Sequence, residues 1–357
     1  MEIRCTTNPG LEDIASDEIA ELLEPAGVSV DSVDRVDHGL PGVVTCSVGE
    51  LEAHEAADRA LVWRCLSAAR SVYHVVIHVA QIDWHGGSLE KLCEAVREID
   101  LNAMEATRSF RVRCRRTGTH SFQSVDVERS IGTVLHEKFG TSVDKVDFTL
   151  NVCVDITDAT ALIGYQLSAK KGLDRRYPWQ FHPRVTLRTP VAYAMLRLVG
   201  FTRSPGRLHD PYCGSGTIVL EATAVASGFG GDVPQVSGSD WNHTAVEGAQ
   251  ANILAAGQGE QSRVFHCDAR ELSSVLEPGS LDYIVTNPPF GIRMARDANF
   301  LVIYGSLLRE ARPLIRAGGA MAVLVGKRRG EFNKVFQSQS DFEIEHVRVL
   351  EMGMMCT

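Results

Sequence analysis

With 357 residues, 44% of them hydrophobic and 23% charged, the chain has the composition of a globular protein long enough for two or three domains. Its formal charge of −9 excludes a uniformly basic nucleic-acid binder, so any RNA or DNA contact must rest on local basic patches. Nine scattered cysteines with no Cys-x-x-Cys pair fit reduced thiols in a cytoplasm better than a disulfide framework or a zinc site.

In chain order, Met1–Glu24 lacks the basic start and apolar run of a signal peptide. A strand is expected at Glu2–Thr6, a turn at Asn8-Pro9-Gly10, and a helix at Leu11–Glu24 with Leu11, Ile14, Ile19 and Leu22 at helical spacing. Val43–Val48 alternates as a strand, and Ala53–Ala69 reads as a helix. These make residues 1–70 a small α+β unit. Leu61–Ala80 is the most apolar long stretch, but Arg64 and Arg70 interrupt it and exclude a membrane span.

Residues 71–168 read as a second α+β unit. It has a strand at Val72–Ala80 and a helix at Ser88–Asp100 with Ser88 as N-cap. Phe110–Arg115 alternates, with Phe110, Val112 and Cys114 on one face and Arg111, Arg113 and Arg115 on the other. A helix over Ser124–Phe139 and a hairpin of Asp147–Ile156 with Thr160–Leu167 complete the unit. Residues 169–185 read as a basic linker carrying Lys170, Lys171, Arg175 and Arg176. Together with Arg111, Arg113, Arg115 and Arg116 these cations are candidates for holding RNA phosphates; a solvated strand face is the plain alternative.

From Thr186 the pattern becomes strand–helix alternation. Strands at Arg207–Asp210, Val236–Asp240, Arg263–Cys267, Leu281–Thr286, Ala320–Val325 and Glu343–Leu350 imply a mostly parallel sheet with helices on both faces. Each of the first four ends in a polar residue. Asp210 precedes the turn Gly214-x-Gly216, which opens a helix at Ile218–Ala226 and brings backbone N–H groups close to a ligand. No phosphate-binding lysine follows, and Asp210 suits a cationic ligand rather than a pyrophosphate. Asp240 is placed to accept from two ribose hydroxyls, or else to cap the helix at Asn242–Leu254. Asp268 can accept from an adenine amine. Asn287-Pro288-Pro289-Phe290 follows the fourth strand. An amide oxygen, carbonyls freed by prolines and an aromatic face suit an exocyclic amine on a planar base. Alone this run would read as a rigid turn; four polar strand ends in order at one sheet edge favour a ligand site.

With these residues in place, 186–357 resembles the class I S-adenosylmethionine-dependent methyltransferases. Asp210-Pro-Tyr-Cys-Gly-Ser-Gly-Thr217 followed by Asn287-Pro-Pro-Phe-Gly-Ile-Arg293 resembles the guanine-N2 methyltransferases of RNA in particular. Phe110–Phe122, Ile131-Gly132 and Gly164–Leu167 resemble a THUMP domain, and residues 1–70 the ferredoxin-like domain found beside it. The resemblance implies an α/β Rossmann-like catalytic domain of seven strands in the order 3-2-1-4-5-7-6, with Phe342–Cys356 supplying the late hairpin. It implies S-adenosylmethionine as cofactor and no metal. Thr186, Leu187 and Arg188 would lie over the methionine carboxylate. Gly214 and Gly216 would line the methionine part of the cofactor, Asp240 the ribose and Asp268 the adenine, with Asp210, Cys213, Thr217, Trp241, Ala269 and Asn287 also among the cofactor-binding residues. Asn287 and Pro288 would accept hydrogen bonds from the two N2 protons of a guanine stacked on Phe290, and Arg293 would reach a phosphate or the base edge, or else be a solvated surface charge. The implied partner is the acceptor stem and 3′ end of tRNA, and Asn287 in place of an aspartate leans toward position 6. Position 10, large-subunit rRNA and a non-catalytic RNA-binding scaffold stay open. The THUMP-like half disfavours adenine-N6 or protein glutamine methylation, and the lack of Gly-x-Gly-x-x-Gly disfavours a dehydrogenase.

Overall fold

The computed structural model describes the chain apart from residues 36–38, 85, 86, 106, 169, 184, 185, 231–234, 290–298, 340, 353, 354 and 357. It divides into two compact units, Met1–Leu173 and Asp174–Thr357.

In the first unit eight strands make one sheet: β1 (Glu2–Thr6), β2 (Val30–Arg35), β3 (Val43–Val48), β4 (His74–Asp83), β5 (Ser109–Arg116), β6 (Ser142–Val143), β7 (Leu150–Ile156) and β8 (Thr160–Gln166). Their order is β2-β3-β1-β4-β8-β7-β5-β6. Antiparallel pairing of β1 with both β3 and β4 joins the segments before and after residue 70 into this single sheet. The apolar stripe of β1 is Ile3 and Cys5. It meets Val75 and Ile77 of β4, Val152 and Val154 of β7, and Phe110 and Val112 of β5 in one core. Helices α1 (Glu12–Leu23), α2 (Ala56–Leu66), α3 (Leu89–Glu98) and α4 (Ser124–Phe139) contribute Ile19, Leu66, Leu92 and Ile131 to it. Ser88 caps α3 as expected, accepting from the Lys91 N–H. A capping box of Gln123 and Asp126 starts α4, and Gly140 in the left-handed region ends it. Strands β7 and β8 form the expected hairpin.

The second unit holds a parallel sheet of β9 (Leu208–Asp210), β10 (Val236–Asp240), β11 (Ser262–His266), β12 (Leu281–Thr286) and β13 (Ile315–Val323) in the order β11-β10-β9-β12-β13. Numbered within the unit, that is 3-2-1-4-5. The order reverses at β9, so the tips of β9 and β12 bound the crevice where open α/β sheets take ligands. Helices α5 (Thr189–Leu198), α6 (Thr217–Ser227), α7 (His243–Ala255), α8 (Phe300–Leu314) and α9 (Arg329–Gln339) complete the alternation. Asn242, not Asp240, caps α7, its side chain accepting from the Thr244 N–H at 2.9 Å.

Two expectations fail at the C-terminal end. Glu343–Leu350 is not a strand among the described residues, and β14 (Glu351–Met352) pairs with β15 (Met355–Cys356) as a separate two-stranded ladder. Alternating apolar residues make a strand only when a neighbour covers them. Ile344, Val347 and Val349 are instead 50%, 73% and 56% exposed.

The segment after Asp174 is less a free linker than part of the second unit. Tyr177 Oη donates to the Leu220 carbonyl, and the ring of Phe181 lies where a side chain on Gly248 would sit, so α7 needs glycine there.

Candidate active site

Four polar residues reach the C-terminal edge of the sheet. Asp210, at the tip of β9, is buried, and its Oδ1 accepts from the Tyr212 N–H at 3.1 Å and from Thr286 Oγ1 at 2.7 Å. Burial pushes its carboxyl up to about 7, with the neighbouring charge of Asp240 adding to the rise. The turn after it folds tightly. The Cys213 N–H donates to the Ser239 carbonyl at 2.9 Å, and the Gly216 N–H to the Cys213 carbonyl at 2.7 Å. Gly214 and Gly216 take φ of +52° and +82°, a region that L side chains avoid. Open space lies beyond Gly214 where a Cβ would stand, while Gly216 faces Ala249 at 3.3 Å. Thr217 begins α6, so the turn delivers backbone N–H groups at a helix N-terminus.

Asp240 fastens this turn to β10. Its Oδ2 accepts from the Gly214 N–H at 3.1 Å and its Oδ1 from the Asn242 N–H at 2.9 Å. Burial raises its pKa. Next to it Trp241 is 67% exposed, a flat apolar surface beside the carboxylate, and its carbonyl bonds His266 Nε2 at 2.9 Å. Asp268 behaves differently. Arg270 grips its carboxylate through Nε at 3.0 Å to both oxygens and through Nη2 at 2.6 Å, and this pair holds the Asp268 pKa below the usual carboxylate range. Ala269 is buried behind it.

At the tip of β12 the Asn287 Oδ1 atom is buried and has no hydrogen-bond partner among the described residues. Pro288 is buried beside it. Buried acceptors are mostly paired in folded proteins, so this oxygen is available to an incoming donor. Phe290 and Arg293 lie outside the described residues. Thr186, Leu187 and Arg188 lead into α5, which packs beside α6. The Thr186 hydroxyl donates to the Pro183 carbonyl at 2.9 Å, and Arg188 stands at the helix N-cap with Asp174 at 3.9 Å.

Several residues of this site carry no motif. Thr286 bridges the tips of β9 and β12. Asn252, buried on α7, accepts from the Gln180 and Phe181 N–H groups at 2.8 Å and donates to the Phe181 carbonyl at 2.8 Å and the Ser215 carbonyl at 2.9 Å. It therefore ties the segment before α5 to the glycine turn. His209 lies fully buried below Asp210, with Ser237 Oγ at 2.9 Å from Nδ1 and Ser239 Oγ at 3.1 Å from Nε2; burial lowers its pKa to about 3 and keeps it neutral. Nothing in the local pattern singles out Asn252 or His209, since α7 also carries Glu247 and Gln250 and β9 also carries Asp210.

The basic candidates do not act as one set. Arg113 is exposed on β5, as are Lys171 and Arg175 in their segments. Arg111 donates to Asn151 Oδ1 at 3.0 Å and lies 4.0 Å over the Phe148 ring. Arg115 donates through Nε to Asp155 Oδ1 at 3.1 Å, and Asp155 also takes the buried Arg4 at 2.7 Å. Arg116 reaches Ser124 Oγ at 3.4 Å. Lys170 pairs with Asp147 at 2.8 Å, and Arg176 with the buried Glu221 of α6 at 3.5 Å. Parallel pairing of β5 with β7 explains the split, since it sets Arg111 opposite Asn151 and Arg115 opposite Asp155.

The side chains at the sheet edge fit a cationic ligand with a diol and an amine: carboxylates at the tips of β9 and β10, a third just beyond β11, and an open glycine turn. Comparison with known proteins agrees. Residues 175–357 match the UPF0020 family, described as an RMKL-like methyltransferase domain, and residues 87–165 match the THUMP domain. The chain is 33% identical to the tRNA (guanine(6)-N2)-methyltransferase of Thermus thermophilus, over 99% of this chain and 96% of that protein. It is 23% identical to the enzyme of the same name from Archaeoglobus fulgidus, over 99% of this chain and 89% of that one. The crystal structure of TrmN from Thermus thermophilus superposes with a TM-score of 0.76 at 30% identity, covering 99% of this chain and 97% of that one.

Proposed function

The chain belongs to the family of THUMP-bearing UPF0020 methyltransferases that includes the Thermus thermophilus tRNA (guanine(6)-N2)-methyltransferase, and from that premise we propose that it methylates the exocyclic N2 amine of a guanosine in tRNA, at position 6 of the acceptor stem. It is an S-adenosylmethionine-dependent enzyme. The observation that carries the base assignment is the orphaned Asn287 Oδ1 at the tip of β12. A guanine N2 amine has two protons to give and a lone pair delocalised into its ring. Asn287 Oδ1 accepts a hydrogen bond from one N2 proton and the Pro288 carbonyl from the other, which draws the nitrogen toward tetrahedral character and aims its lone pair; once the methyl has transferred, the surplus proton is lost to water. Asn287 acts as an acceptor and not as a general base, since a neutral amide is too weak a base to remove the proton.

When bound, the cofactor supplies a methyl group already activated on a sulfonium, so no covalent protein intermediate is needed. The chain's own task is positioning. Asp210 would face the cofactor's ammonium, Asp240 its ribose hydroxyls, and Asp268 its adenine amine once Arg270 shares the carboxylate. The target base leaves its helix to reach such a pocket, as base-modifying enzymes require. The THUMP domain would hold the acceptor end of the tRNA, with Arg113 as its exposed cation on β5. Among the described residues no helix is long and apolar enough to cross a membrane, and we place the reaction in the cytoplasm, with tRNA.

The test is methyl transfer from a labelled donor to bulk unmodified tRNA, with nucleoside analysis of the product. N2-methylguanosine is expected, and a guanine-to-adenine change at position 6 of a single tRNA transcript should abolish it. Label in any other nucleoside rejects the assignment.

A further inference from the structure

Asp210 and Asn287 serve different ligands, yet one buried side chain stands between them. Thr286 is the last residue of β12 and directly precedes Asn287. Its hydroxyl donates to Asp210 Oδ1 at 2.7 Å, across the β9–β12 boundary where the strand order reverses. Its carbonyl accepts from the Leu324 N–H at 3.1 Å, on the β13 side. The residue that emits Asn287 is thus fixed to both neighbouring strands, and the fastening to β9 falls on the cofactor carboxylate itself. We propose that Thr286 is a positioning residue that couples the donor-binding carboxylate of Asp210 to the base-holding amide of Asn287, a role that rests on the methyltransferase reading above.

The chemistry supports a coupling rather than a plain strand contact. Both described hydrogen bonds to Asp210 fall on Oδ1. The titratable groups facing this carboxylate are Asp240 at the tip of β10 and Cys213 in the turn; Asp240 opposes its ionisation, and the buried Cys213 thiol is kept protonated. Burial also opposes ionisation. The Thr286 hydroxyl and the Tyr212 N–H favour it. A bond to an ionised acceptor is stronger than one to a neutral acceptor. A cation arriving at Asp210 therefore tightens the Thr286 bond, and that bond fixes the backbone from which Asn287 projects. Filling the cofactor site pre-orients the base site.

The experiment uses the full chain and compares wild type, Thr286→Val, Thr286→Ser and Thr286→Cys. S-adenosylmethionine affinity is read by calorimetry across pH, and single-turnover methyl transfer is read on unmodified tRNA. If wild type neither binds the donor nor transfers methyl, the methyltransferase reading fails and this proposal with it. If wild type does both, the variants decide. Removing a bond to a charged group should weaken donor affinity and slow single turnover by about tenfold or more. The acid limb of the affinity–pH curve should move to higher pH in Thr286→Val, and Thr286→Ser should restore both readouts. Wild-type affinity, pH curve and rate in Thr286→Val overturn the proposal. So does a loss that Thr286→Ser, folded with a wild-type melting temperature, fails to restore. Should Thr286→Val not fold, Thr286→Cys decides, because its thiol takes the hydroxyl's place but donates weakly. A partial loss with the same pH displacement supports the coupling, and wild-type behaviour overturns it.

Discussion

A single atom, Asn287 Oδ1, illustrates how a site is kept ready at the residue scale. Leaving a buried acceptor without a donor costs about 1–3 kcal/mol in the folded protein. That cost is recovered when a base amine arrives, so Asn287 should matter more to turnover than to folding. Asn287→Ala is expected to keep donor affinity and melting temperature near wild type while losing about 3 kcal/mol in transfer rate, read in single-turnover assays. A wild-type rate would remove Asn287 from the chemistry. Asp210 makes a second prediction. Its folded pKa, near 7, lies above the ordinary 3.8. The free protein therefore gains stability from the neutral carboxyl below about pH 4 and loses it as pH rises toward 7. A cation prefers the ionised form, so donor affinity should move the opposite way, strengthening as pH rises through about 7. Asp210→Asn should flatten that rise, and a calorimetric titration series at fixed ionic strength checks it. The aspartates, the glycines and Asn287 were legible in the sequence because each ends a strand or breaks a backbone rule. Thr286 was not: its partner lies 76 residues away and meets it only through the parallel pairing of β12 with β9.

Elements were readable wherever side-chain period and burial agree. Glu2–Thr6, Val43–Val48, Ser124–Phe139, Val236–Asp240 and Leu281–Thr286 fall where alternation or helical spacing puts them. Strand β2 escaped because Val30–Arg35 is a largely exposed edge carrying Asp31, Asp34 and Arg35, with no apolar stripe to show. Glu343–Leu350 misled for the converse reason, since it has the stripe but no cover. Between elements, Asn252 does what no periodicity reveals: one amide satisfies backbone groups of residues 180, 181 and 215 at once. Asn252→Leu keeps the size but leaves those partly buried groups unpaired. It should destabilise the second unit by roughly 3 kcal/mol or more, since each orphaned group costs about 1–3 kcal/mol. It should also loosen the glycine turn, so donor affinity falls even at temperatures where the fold persists. Thermal unfolding with and without donor checks both, and a wild-type melting temperature would show that water replaces the amide.

For the molecule as a whole, a chain of net charge −9 must hold a polyanion with few cations. The arginine stripe of β5 suggested one continuous RNA face, but strand pairing divides it. Arg115 neutralises Asp155 together with Arg4, and Arg111 is engaged by Asn151 and Phe148, whereas Arg113 and Lys171 are exposed. The two classes should respond differently to mutation. Arg113→Ala with Lys171→Ala should leave the melting temperature unchanged. It should weaken tRNA binding and lower the slope of log affinity against log salt by about 1.5, since each phosphate contact contributes about 0.7–0.9. Arg115→Ala should do the reverse: it leaves the buried Asp155 with one cation instead of two, so stability falls while the salt slope barely moves. Filter binding at several salt concentrations beside thermal melts separates the outcomes. A salt slope that drops for Arg115→Ala and not for the double variant would place the RNA on the ion-paired arginines, and the exposed ones would then be ordinary surface charge.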